Sequence, residues 1–225
     1  MGVISIEQTD RLFWLGRYTE RVYTTIRLFD AAADRMLDGL PGGGYAQFCQ
    51  DLEIPNIYES NEDFQKRYAF DTEDENSIVS NLNRAYDNAI VLRELIGSDT
   101  LSYVQLAIYD MKKAGESRAP LLEMQKIRDN LLAFWGIADD EIESEDIRNI
   151  IKVGKRVERI DLYARLRQPR EDMIREVSRL VGRIDRSSVV YVKEHLERLK
   201  EMIQEQDINY NGIIVEIESL IMQQN

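Results

Sequence analysis

Apolar residues recur at intervals of three and four along the whole of this 225-residue chain, and only 4 prolines interrupt them. That interval is the turn of an α-helix, and strand-like alternation is confined to short runs such as SSVVYV. The expectation is an all-α fold, a multi-helix bundle. With 44% hydrophobic residues, a chain of this length can bury a sizeable core, and residues 1–225 read as a single helical domain because no linker rich in Gly, Ser and Pro divides them.

The first helix is expected to start at Ser5, where SIEQ has the form of a capping box with Gln8, and to stop at Gly39 before LPGGGY. Its apolar positions Leu12, Leu15, Val22, Ile26, Phe29, Ala33 and Met36, with Thr19 in the one gap, form a seam suited to a bundle core. YAQFCQDL predicts a short helix, and residues 56 to 76 are expected to be irregular, with a turn at NEDFQKR. Further helices are expected from Ser77 to Ile96, after a cap at Ser98, from Pro120 to Trp135, and from within DDEIESED to about residue 167. QPRED breaks the chain again, and two or three helices fill residues 170 to 224, separated near Arg186 to Ser188 and near Gln206 to Asn209.

Two segments of this pattern are near-copies. LGRYTERVYTTIRL and VGKRVERIDLYARL superpose after a shift of 138 positions, the separation of Gly16 and Gly154. Arg17 then meets Lys155, Glu20 meets Glu158, Arg21 meets Arg159 and Arg27 meets Arg165. The apolar seam shares the frame, since Leu12, Leu15, Val22 and Ile26 fall on Ile150, Val153, Ile160 and Ala164. Two long helices with equivalent roles, a pseudo-twofold repeat, are therefore expected. Neighbouring Glu and Arg point about 100° apart on a helix, so each needs a partner from elsewhere. Glycine four residues before each Glu leaves room for another backbone or for a ligand. The residues leave two readings open. Each Glu pairs with an Arg on the other long helix and fixes their register, or Arg17, Arg21, Arg27, Lys155, Arg159 and Arg165 surround a carboxylate or phosphate while the glutamates orient them.

Other constellations point less sharply. Arg84, Asn88 and Arg93 share the helix NSIVSNLNRAYDNAIVLRE; a solvated polar face is the simpler account, and Arg84 is kept as a candidate anion ligand. The sole His195 lies outside any E-x-x-H motif and the sole Cys49 has no nearby His, so no metal site and no cofactor are expected. Cys49, Trp14 and Trp135 read as core residues, although Trp14 beside Arg17 and Tyr18 could line a pocket. PGGGY has no following G-K-S/T and is a turn. A net charge of −12 without a Lys/Arg tract disfavours nucleic acid. No apolar run approaches a membrane span, MGVISIEQTD lacks the pattern of a signal peptide, and one cysteine suits a reducing cytoplasm.

The ordered set LFWLGRYTERVYTTIRLFD, NSIVSNLNRAYDNAIVLRE and KVGKRVERIDLYARL resembles the Alpha-E family, bacterial all-helical proteins named for their E-R motifs. The resemblance is strongest over residues 5 to 167, and residues 170 to 224 diverge. It implies association with a circularly permuted ATP-grasp protein, and with a transglutaminase-like protein nearby. ATP-grasp chemistry joins a carboxylate to an amine through an acyl phosphate. The implied role is thus an accessory or substrate-handling component of peptide or amide-bond synthesis or modification, binding a carboxylate-bearing peptide or the ligase itself. The alternatives are a stand-alone enzyme, with Glu20 or Glu158 as general base and an arginine anion site, or a purely structural domain that forms a homo-oligomer.

Overall fold

The computed structural model describes residues 4 to 38 and 44 to 222. Eleven helices account for most of them, and the only β pairing among the described residues is an isolated antiparallel bridge between Tyr191 and Ile221. The fold is all-α. Among these helices none is long and apolar enough to cross a membrane.

The described residues form two compact units, one drawn from Met1–Glu20 and Ile142–Asn225, the other from Arg21–Glu141. The first helix, α1 (Ile6–Leu37), contributes to both. Its start is the capping box read in the sequence: the Ser5 amide donates to Gln8 Oε1 at 2.9 Å and the Gln8 amide to Ser5 Oγ at 3.1 Å. The expected stop at Gly39 and most of the PGGGY turn lie outside the described residues.

In the Arg21–Glu141 unit, α2 (Tyr45–Leu52) is the short helix expected. The irregular stretch expected over residues 56 to 76 instead contains α3 (Asn61–Phe70). Ser60 caps it by accepting from the Asp63 amide, and Glu62 and Asp63 complement the helix dipole in its first turn. Phe64 and Tyr68, one turn apart, are driven inward to stack at 5.0 Å within a cluster that includes Phe29, Phe48 and Tyr58. Burial there pushes the Cys49 thiol up to about 11, with Asp74 adding to it, so this cysteine is a core residue. The helix expected from Ser77 to Ile96 is two: α4 (Ile78–Val91), capped by Ser77, and the single turn α5 (Arg93–Ile96). The cap of α6 (Ser98–Glu116) is Gly97, at φ 82, rather than Ser98. That backbone conformation suits glycine, and the Ser98 hydroxyl accepts from Arg93 Nε at 3.1 Å instead. α7 (Pro120–Glu141) begins where expected and runs past Trp135; α6 packs along α7 and α4.

In the other unit, α8 (Glu145–Arg165) begins after Ser144, whose hydroxyl accepts from the Ile147 amide. It buries Ile150, Val153, Ile160 and Ala164, the seam read from the sequence, with Val157 in the position that Thr19 takes on α1. α8 packs on α9 (Arg170–Ile184) and α11 (Tyr210–Glu218), and α10 (Lys193–Met202) packs on α11. Leu12, Leu15 and Thr19 of α1 are fully buried in the same unit.

Candidate functional site

Helices α1 and α8 meet backbone to backbone. A Cβ built on Gly16 would lie 1.9 Å from the carbonyl oxygen of Ile151, and one built on Gly154 would lie 2.0 Å from that of Phe13. The contacts are reciprocal, because the shift of 138 positions that carries Gly16 onto Gly154 also carries Phe13 onto Ile151. Of the two roles open to these glycines, room for a backbone is therefore the one used.

So close an approach lets side chains beside the glycines and in the next turn reach the opposite helix. Arg17 Nε donates to Glu158 Oε2 at 2.7 Å. Arg159 grips Glu20 with two parallel bonds, Nε to Oε1 at 2.6 Å and Nη2 to Oε2 at 2.9 Å. Both glutamates are 0% exposed. Lys155, the counterpart of Arg17, lies beside Glu20; burial nevertheless pushes its ammonium down to about 7, the pull of Glu20 being opposed by Arg159, Arg156 and Lys152. Arg17 also lies over the rings of Trp14, at 4.9 Å, and Phe13, at 5.9 Å, and Trp14 stacks on Tyr18.

The ionic network continues on α8 and its neighbours. Glu176 of α9, 1% exposed, accepts from Arg156 at 2.6 Å and Arg179 at 2.7 Å, and Arg159 and Arg175 stand 3.9 and 3.8 Å away. Burial lowers Arg156 despite Glu176, and its Nε is buried with no hydrogen-bond partner. Further along α8, Arg165 donates to Asp161 at 3.1 Å and to Glu218 at 2.7 Å. Burial and the neighbouring charge of Glu158 hold the Asp161 carboxyl above the usual range, against the pull of Arg165 and Arg17.

Five of the residues singled out in the sequence thus meet at the crossing: Arg17, Glu20, Lys155, Glu158 and Arg159. Arg165 is engaged by its own acidic partners. Arg21, Arg27 and Arg84 belong to the Arg21–Glu141 unit. There Arg27 is exposed and lies over Tyr23 of its own helix, Arg84 donates to the Glu75 carbonyl at 2.8 Å, and Arg21 lies close enough to the buried Tyr68 phenol to oppose the rise that burial causes. Glu176 was missed. Its signal is positional: it falls among Met173, Val177, Leu180 and Ile184 on the buried stripe of α9, a place where an acid requires a partner.

A carboxylate with no exposed surface, gripped by a guanidinium from the opposite helix, cannot reach a substrate proton unless the crossing opens. What the arrangement does is fix how two helices meet. The class of protein so defined is an all-helical one organised around a reciprocal glutamate–arginine crossing. The chain belongs to the Alpha-E family, described as a predicted alpha-helical domain with a conserved ER motif, whose model matches residues 8–197. That match extends beyond residue 167, through α9 and into α10, and so takes in Glu176. No curated protein and no solved structure matches the chain. Among the described residues no group of three or more His, Cys, Asp or Glu is placed to hold a metal ion.

Proposed function

We propose that this protein is an accessory component of an amide-forming system, handling a carboxylate-bearing peptide for an ATP-grasp ligase, with the E-R crossing as its scaffold and not its catalytic centre. The observation that carries the non-catalytic part is the complete burial of Glu20 and Glu158 in cross-helix ion pairs. The choice of an ATP-grasp ligase as partner, with a transglutaminase-like protein as a second candidate, rests on what the resemblance to the Alpha-E family implies. The ligase would supply the acyl phosphate and the bond-forming step, while this chain would present or retain the peptide.

The test is reconstitution. Purified protein is mixed with a purified circularly permuted ATP-grasp protein from the same organism, and ATP turnover and amide product are measured with and without this chain. The reading expects a stable complex and product formation that depends on both proteins. Amide formation by this chain alone, lost in Glu20→Gln with the fold intact, would establish an enzyme instead. Absence of complex and of any effect on the ligase would sink the partnership.

A further inference from the structure

Away from the crossing, in the Arg21–Glu141 unit, a cavity of about 320 Å³ opens between the end of α3, α4 and the last turns of α6. Its apolar lining comes from Phe70, Val79, Ile108 and Met111; Thr72, Asn83 and Lys112 also line it. We propose that this cavity binds a small monocarboxylate with an apolar tail, the tail against the apolar lining and the carboxylate toward Lys112 and Asn83.

Three observations carry the assignment. An apolar space of this size that reaches the surface falls at the lower end of the volumes that small-molecule sites occupy. Gly115 shapes its wall: a Cβ there would press on the Phe70 ring at 3.3 Å, and a larger side chain would project from a helix position that has no backbone need for glycine. The polar groups are also uncommitted. On α4, Asn81 donates to the Ser77 carbonyl and Asn88 to that of Arg84, yet the half-buried Asn83 side chain makes no hydrogen bond among the described residues. Lys113 lies over the Tyr109 ring at 4.4 Å, whereas Lys112 next to it makes neither an ion pair nor a ring contact among them. One ammonium, one amide and one hydroxyl match a singly charged oxyanion; a phosphate dianion calls for more cationic donors.

Octanoate is the probe, with 1-octanol and acetate as its two halves, and the readout is the NMR spectrum of protein carrying ¹³C-methyl methionine. Met111 is one of 7 methionines, assigned by a Met111→Leu variant. Octanoate should shift the Met111 methyl saturably and bind tighter than 1-octanol or acetate. Lys112→Gln, an exposed change that leaves the core intact, should weaken octanoate about tenfold, the loss of one charge-assisted contact, without altering 1-octanol. The proposal is overturned if octanoate causes no saturable shift at Met111, if 1-octanol binds as tightly, or if Lys112→Gln leaves octanoate affinity unchanged.

Discussion

Arg17 is 9% exposed, so taking the charge from Glu158 would leave a guanidinium buried beside a neutral group. Glu158→Gln is expected to cost about 3 to 5 kcal/mol in urea unfolding, the range for breaking one side of a buried pair. Replacing both partners by apolar residues, Arg17→Met with Glu158→Leu, should recover part of that loss, because no ion remains to be desolvated. A double variant no more stable than Glu158→Gln would show that the pair does more than neutralise itself. Lys155 supplies a pH test. Its folded value, about 7, lies below the ordinary 10.5, so between those limits the unfolded chain holds a proton that the folded chain has shed. Stability should therefore rise with pH above 7. Cys49, raised from 9.0 to about 11, acts in the opposite sense above pH 9, which leaves pH 7 to 9 as the clean window. In that window wild type should gain stability with pH and Lys155→Met should gain less; parallel profiles would remove the burial argument for Lys155.

Helices show where local signals suffice and where they mislead. The capping box at Ser5 and the seam from Leu12 to Ala33 are legible because they follow backbone geometry and a single buried face. NEDFQKR hides α3 because six of its seven residues are polar or charged; the helix exists for Phe64 and Tyr68, whose aromatic partners lie elsewhere in the sequence. The same holds at the site. Glu20 and Glu158 were legible as a pair through the repeat, but which base each would meet depends on how closely α1 and α8 approach, and two glycines set that distance. Gly16→Ala and Gly154→Ala should each destabilise by about 3 kcal/mol or more, since overpacking here sets a methyl against a backbone carbonyl that cannot turn aside. Gly136, in α7 with nothing within 4 Å of its Cβ position, is the control. Gly136→Ala should stabilise by about 0.5 to 1 kcal/mol through helix propensity. Thermal melts of the three variants decide the matter, and equal losses at all three positions would refute a close crossing.

At the scale of the molecule, the two units differ in how the chain assembles them. The Arg21–Glu141 unit comes from one continuous stretch, while the other joins residues from both ends of the sequence. Arg17 and Glu158, 141 positions apart, can pair only after that long loop has closed. Such closure needs a contact that tolerates one register, and the crossing has that property: a slip of one helical turn would set side chains where the two glycines now stand and would separate both glutamates from their bases. Damage at the crossing should therefore fall first on the unit built from both ends. In Gly154→Ala, amide hydrogen exchange is expected to speed up in α8, α9 and α11, whereas α4, α6 and α7 keep protection closer to wild type. Mass spectrometry of peptides from each helix reads this directly. Exchange that rises equally in all six helices would mean that the chain opens as one cooperative body. Unchanged protection throughout would mean that Gly154 does not sit at a backbone contact.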